Sequence, residues 1–200
     1  MRISALTFIF LILSLGAQAS EKSFAPKLSV RLNNGIISNS GSVGGSTALI
    51  GGVNVSYNHF VSENISVGGG FFWNFDYTAR TIPVSGFEAG VRYYFIGQGT
   101  RSTFENELGI FKRRSGTAIY AAGELSQQKY YTGSNPPEVG EAILTGSSIG
   151  LNAGIGLDQR ISESLDFTME GNMGLLSFAS TDDRFRLSSM LFKVGVSYVW

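Results

Sequence analysis

The last fourteen residues, 187–200, constrain the fold more than any other stretch of the chain. Every second residue counted back from the end is apolar or aromatic: Trp200, Tyr198, Val196, Val194, Phe192 and Met190. A repeat of two is the strand repeat, because successive side chains point to opposite faces of a sheet. A soluble sheet rarely keeps such a row at a terminus, where chains usually fray into water. We therefore expect a strand that closes a barrel in lipid.

The first nineteen residues have the pattern of a secretory signal peptide. Arg2 gives a positive start, residues 5–15 form an apolar run, and Ala17-Gln18-Ala19 is a small-x-small cleavage site. The run is shorter than the roughly 20 residues of a membrane-spanning helix, although an uncleaved anchor helix is the alternative. We predict a cleavable signal peptide at 1–19, export, and one mature domain over 20–200.

The composition suits a protein whose surface does not mainly face water. Charged residues make up 15% of the chain, against about 25% in ordinary globular proteins, and glycine occurs 26 times. The formal net charge is zero, so the basic field that nucleic-acid binding needs is absent. Cysteine is missing, which excludes disulfides, thiolate metal sites and a lipoprotein anchor.

Alternation recurs along the mature chain and predicts eight strands. These cover residues 27–37, 47–58, 65–77, 84–95, 117–130, 147–158, 165–175 and 187–200. The connections after the first, third, fifth and seventh strands are mostly longer and more polar, whereas 61–64 and 160–164 are compact. Short turns at one rim and longer loops at the other are typical of outer-membrane barrels.

The connection 97–116 does not fit this scheme, because it is too long for a tight turn. Phe104, Leu108 and Phe111 fall at helical spacing among charged residues. We expect a short amphipathic helix on the periplasmic rim. The alternative is a ninth strand or a strand extension, which would spoil the even count.

Alternation alone does not say which face of the sheet is inside, since a soluble ligand-binding barrel would alternate equally well. The less apolar face is rich in small residues and carries both charge signs at neighbouring depths. We predict that six of these residues form a charge network in the lumen: Arg31, Glu88, Arg92, Glu124, Glu170 and Lys193. Aromatic residues lie towards the strand ends on the other face, as in interfacial girdles. The fold class predicted is all-β, an eight-stranded antiparallel up-and-down transmembrane β-barrel.

Three short sequence segments resemble those of a known family: S-V-G-G-G-F at 66–71, G-V-R-Y-Y-F at 90–95 and V-G-V-S-Y-V-W at 194–200. With them, nearly all of 27–200 resembles the small bacterial outer-membrane β-barrel family that includes OmpX-like and OmpA transmembrane-domain-like proteins. The resemblance implies that Val196, Tyr198 and Trp200 belong to the sorting signal read by the barrel-assembly machinery. Trp200 replaces the usual terminal Phe, and the long 97–116 connection is atypical of the family.

An enzymatic function is one alternative, because some barrels of this size modify lipid A with the help of a rim histidine. The only histidine, His59, lies beside the compact turn after the second strand. This is the periplasmic rim, away from where those enzymes act, and no oriented partner is visible in sequence. We expect no catalytic residues. Asp182 and Asp183 lack the spaced oxygen ligands of a calcium loop, so we expect no metal and no cofactor.

The sequence therefore predicts a monomeric, non-enzymatic barrel in a Gram-negative outer membrane, acting structurally or through its extracellular loops. Eight strands leave a lumen that side chains fill, so we expect a plugged barrel rather than an open pore. The partners expected are outer-membrane lipid and lipopolysaccharide, with no nucleic acid. Four bases at the loop rim could meet lipopolysaccharide phosphates, although ordinary rim charges explain them nearly as well: Arg80, Lys129, Arg184 and Arg186.

Overall fold

The computed structural model describes residues 22–39, 46–77, 84–106, 109–132, 144–179 and 187–200. These ranges form eleven strands, numbered in chain order: β1 (Lys22–Phe24), β2 (Lys27–Asn39), β3 (Ser46–Phe60), β4 (Ile65–Asp76), β5 (Val84–Ile96), β6 (Ser102–Asn106), β7 (Gly109–Arg113), β8 (Thr117–Thr132), β9 (Leu144–Arg160), β10 (Leu165–Ala179) and β11 (Leu187–Val199). Within them no helix is long and apolar enough to cross a membrane. The predicted signal peptide lies outside the described residues.

Eight strands close into one antiparallel barrel in the order β2-β3-β4-β5-β8-β9-β10-β11. The last strand returns to the first, and this seam between β11 and β2 is unbroken from Val199 opposite Lys27 to Leu187 opposite Asn39. Closure matters because an unpaired backbone group in hydrocarbon costs several kcal/mol. The predicted eight-stranded antiparallel barrel is confirmed.

The predicted helix in 97–116 is wrong. β6 and β7 form an antiparallel hairpin, and β6 also pairs with β1, so that the three strands make a separate small sheet. The alternative of a ninth strand or a strand extension is right that the connection forms strands, but these lie outside the barrel, which keeps its even count of eight. The helical spacing misled because Phe104 and Phe111, seven residues apart, are directly opposite each other in the hairpin. Pairing with β1, far away in sequence, satisfies the hairpin's backbone.

The barrel has its apolar face outside and its polar face inside. Leu32 is 62% exposed, whereas its neighbours Arg31 and Asn33 are 0% and 3% exposed. The same contrast holds around the whole circumference, because each barrel strand contributes exposed large apolar side chains. Examples from successive strands are Val30, Val53, Trp73, Phe87, Leu125, Ile155, Met173 and Phe192.

The two ends of the barrel differ. One end, here called the turn rim, holds the two tight turns at 61–64 and 161–164, the small sheet and the C-terminal residue. Trp200 N–H donates to the Pro26 carbonyl there, and Ala25 N–H donates to Arg101. At the other end, the loop rim, four connections leave β2, β4, β8 and β10; residues 40–45, 78–83, 133–143 and 180–186 lie outside the described residues, and so do Arg80, Arg184, Arg186 and the Asp182-Asp183 pair.

Candidate functional site

The six residues of the predicted lumen network meet in the middle of the barrel. The strand period brings them inward, and register brings them level: Lys193 on β11 is directly opposite Glu170 on β10. Glu88 and Arg92 lie four residues apart on β5, so they share a face. All six side chains are buried. Three cations face three carboxylates, and the network is neutral in total.

Glu170 is the hub of this network. Its Oε2 accepts hydrogen bonds from Arg31 Nη1 (2.9 Å), Arg92 Nη2 (3.0 Å) and the Tyr120 hydroxyl (2.8 Å). Its Oε1 lies 3.3 Å from Lys193 Nζ. One carboxylate thus joins side chains from β2, β5, β8 and β11 across the lumen. Such contacts hold the strands at a fixed distance from one another.

The other two carboxylates complete the network. Lys193 Nζ donates to Glu88 and to Glu124, each at 3.0 Å. Arg31 Nη2 reaches Glu88 at 3.3 Å, and it also donates to the Asn54 side-chain oxygen at 2.7 Å. Burying charges away from water is costly, and this cost is offset only where each charge is paired and hydrogen-bonded. Here every one of the six has an oppositely charged partner.

A second charge cluster lies nearer the turn rim and was not predicted from the sequence. Lys27 Nζ lies 2.7 Å from Asp158 and 2.9 Å from Asp166. The Tyr94 hydroxyl donates to Asp158 at 3.1 Å, and Arg114 forms an ion pair with Asp166. Alternation does place the members of this cluster that belong to barrel strands on the inward face. What the sequence lacked was the register that brings Lys27 within reach of residues more than a hundred positions away.

Aromatic side chains fill the lumen at the turn rim. The rings of Phe60, Tyr94 and Tyr120 pack in sequence, with centroids 5.6 Å and 5.0 Å apart. The chain leaving β5 turns at Gly97, which has a positive φ of 71°. It then passes under the aromatic rings, where Gly99 is buried so closely that a Cβ atom would overlap the Tyr94 ring. The turn end is therefore closed by packed side chains.

Uncharged polar groups occupy the lumen on the loop-rim side of the network. Asn33 Nδ2 donates to the Asn74 side-chain oxygen at 2.9 Å, and Asn172 Nδ2 donates to Glu124 at 2.6 Å. A cavity of about 20 Å³ remains among these side chains, room for about one water molecule. Over the described strands the lumen is thus filled rather than open.

The three residues of the predicted sorting signal lie on the outer face of β11. Val196, Tyr198 and Trp200 are each 46% exposed. The Trp200 ring makes edge contacts with Tyr198, at 5.3 Å between centroids, and with Tyr57 across the seam, at 6.2 Å. The aromatic cluster thus lies at the turn rim, where the first and last strands join. Recognition by an assembly machinery stays a prediction.

His59 lies on the outer face near the end of β3, opposite Val67 on β4. It is half-buried, and among the described residues no acid or nucleophile is hydrogen-bonded to it. The described residues hold no group of three potential metal ligands either. The charged chemistry of the described chain is concentrated in the two lumen clusters.

Comparison with known proteins identifies the fold. No protein-family profile and no curated protein sequence matches the chain. Among solved structures, Neisserial surface protein A (NspA) matches with a TM-score of 0.57 at 14% identity, covering 86% of this chain and 97% of that one. The outer membrane protein OprG from Pseudomonas aeruginosa matches with a TM-score of 0.54 at 10% identity, covering 90% and 97%. The chain has the fold of a small outer-membrane barrel. The resemblance predicted from the sequence is therefore confirmed at the level of architecture.

Proposed function

We propose that the chain is a non-enzymatic integral protein of a Gram-negative outer membrane, with a structural or surface-interaction role through the connections at its loop rim. The observation that supports this is the inverted barrel, with its charges buried and its large apolar side chains exposed. Monomeric soluble proteins rarely expose a contiguous apolar patch larger than a few hundred Å². Here the apolar surface surrounds the barrel, and lipid is the medium that suits it.

The proposed orientation follows from the two rims. Outer-membrane barrels have short periplasmic turns and longer extracellular loops. The turn rim, with its four-residue turns at 61–64 and 161–164, would thus face the periplasm. The four longer connections would face outward, where a surface protein meets its partners. Export by the signal peptide predicted at 1–19 is part of the same proposal.

The filled lumen supports a structural role over transport. Buried ion pairs span its centre, and packed rings close its turn end. The position of His59 on the outer face at the turn rim argues against the rim chemistry of lipid-modifying barrels. Nothing in the described chain favours a soluble ligand-binding barrel either, because such a barrel keeps its apolar face around the cavity.

Fractionation combined with heat-modifiability on a gel tests the proposal. The expected result is a band in the outer-membrane fraction that requires detergent for extraction and changes mobility on boiling. A freely soluble periplasmic band would refute it. The enzymatic alternative is tested by comparing the lipid A profile of cells that express the natural chain or His59→Ala. We expect identical profiles, and a modification that disappears with His59→Ala would overturn the non-enzymatic part.

Lipopolysaccharide contact at the loop rim is part of the proposal and has its own test. Lys129 is exposed on the outer face of β8 near that rim, and Arg80, Arg184 and Arg186 are close to it in sequence. Replacing all four by Gln should lower the lipopolysaccharide that co-purifies with the folded barrel. Unchanged co-purification would remove this contact from the proposal.

A further inference from the structure

The base of the β6–β7 hairpin is fastened to the turn at 161–164. Arg160 N–H donates to the Gly116 carbonyl at 2.8 Å, and the Arg160 guanidinium reaches the Arg114 carbonyl at 3.4 Å. In return, the Arg114 guanidinium donates to the carbonyls of Ser162 and Glu163 and pairs with Asp166. The hairpin therefore has a defined position at the turn rim, and the side chains at its base have one too.

The base of the hairpin also carries exposed basic residues. Lys112 and Arg113, at the end of β7, are both exposed. Arg160 is exposed beside them. Across 97–116 the sequence has four basic residues against two acidic ones. Because successive strand residues point to opposite faces, Lys112 and Arg113 place positive charge on both sides of the hairpin base.

Lys112, Arg113 and Arg160 are here called the basic cluster. Its position next to the apolar outer face of the barrel indicates what kind of surface it contacts. Val199 N–H donates to Ser164 at 2.9 Å, which puts the turn beside the strand end that carries Trp200. Tryptophan at a strand end marks the depth of the lipid headgroups. Two apolar side chains in the same region are open to the surroundings, Ile161 at 63% and Ile110 at 65% exposure. Basic side chains next to exposed apolar side chains at that depth are the groups expected to contact an anionic lipid surface.

We propose that Lys112, Arg113 and Arg160 form a contact site for anionic phospholipid headgroups in the periplasmic leaflet. This rests on the proposed membrane location and orientation. A Lys or Arg near an anionic lipid surface contributes a preference of about fivefold. The long aliphatic stems let such side chains reach the phosphates while their carbons stay on apolar surface. Acting together, the three bases would favour anionic over zwitterionic lipid roughly a hundredfold.

The test is lipid binding to the full mature chain, folded in a neutral detergent, measured by native mass spectrometry. Phosphatidylglycerol and phosphatidylcholine with the same acyl chains are the probes. The natural protein should prefer phosphatidylglycerol, and Lys112→Gln/Arg113→Gln should lose that preference by about 25-fold. Lys112→Arg/Arg113→Lys, which keeps both charges at the same positions, is the control and should change the preference less than twofold. Arg160 is left unchanged because it also hydrogen-bonds to Arg114.

Equal binding of the two lipids by the natural protein would overturn the inference, as would an undiminished preference in the Lys112→Gln/Arg113→Gln variant. Each sample is first checked for heat-modifiability, which separates this outcome from failure of the proposed function. A chain that never folds as a detergent-bound barrel contradicts the membrane location itself. A folded barrel without lipid preference contradicts only the headgroup site.

Discussion

Replacing Glu170 by Gln tests whether the lumen network holds the barrel together. The substitution keeps the size of the side chain but removes the charge that faces Arg31, Arg92 and Lys193. The neutral network then becomes three buried cations against two carboxylates. Removing one partner from a buried ion-pair cluster costs about 3–5 kcal/mol, since it leaves charge uncompensated. We expect the free energy of unfolding to fall by that amount.

The assay is denaturant unfolding of the folded protein in lipid vesicles, followed by tryptophan fluorescence. Both tryptophans, Trp73 and Trp200, lie on the outer face and report loss of the lipid environment. Glu163→Gln is the matched control, because Glu163 lies exposed in the turn at 161–164. An exposed substitution of this kind is expected to change stability by no more than about 0.5 kcal/mol.

A double variant separates charge balance from simple damage to the core. Adding Lys193→Met to Glu170→Gln leaves two cations, Arg31 and Arg92, against Glu88 and Glu124, and the network is neutral again. The double variant should therefore lose less free energy of unfolding than the two single variants lose together, by at least about 1 kcal/mol. The reasoning is refuted if Glu170→Gln costs less than about 1 kcal/mol or if the two losses simply add.

Three further predictions concern the turn rim. Deleting Trp200 should reduce insertion in cells more than it reduces the unfolding midpoint of the purified barrel; equal insertion of both chains would contradict the sorting role. Gly99→Ala should lower stability by about 1–3 kcal/mol, since the new methyl overlaps the Tyr94 ring, while Gly116→Ala, which meets nothing within 4 Å, should have little effect in the same melt. Arg114→Met should speed hydrogen exchange and proteolysis in 97–116 while the barrel strands keep their protection; unchanged exchange there would show that Arg114 does not fasten the hairpin.

The strand pattern was predictable because every second side chain of a barrel strand points into the lumen and is buried there. At Leu32, for example, the two neighbours Arg31 and Asn33 are both buried, and the sequence alternates accordingly. The six network residues were also predictable, because charges of both signs on the inward face have few ways to be satisfied other than by pairing. Alternation shows whether a residue points into the lumen or outward, but it does not show the exact position of that residue along the barrel axis.

The details that were missed depend on pairing between distant segments. The Lys27 contact with Asp158 requires the register of the seam and of two further strand pairs, which no local pattern encodes. The hairpin in 97–116 requires β1 as a neighbour, and its opposed Phe104 and Phe111 have a seven-residue separation that fits a helix as well. Long-range pairing overrode the local periodicity there.

The unbroken seam has a consequence for the timing of folding. Because β2 pairs with β11 along thirteen consecutive residues, the first strand of the barrel gains its second neighbour only when the last one is present. A chain that stops before residue 187 would keep two unpaired edges, and lipid offers neither edge a substitute for the lost hydrogen bonds. Half a barrel is therefore no stable intermediate in the membrane. Closure of the barrel therefore requires the last strand, and a prematurely terminated product would be an open sheet rather than a smaller version of the protein.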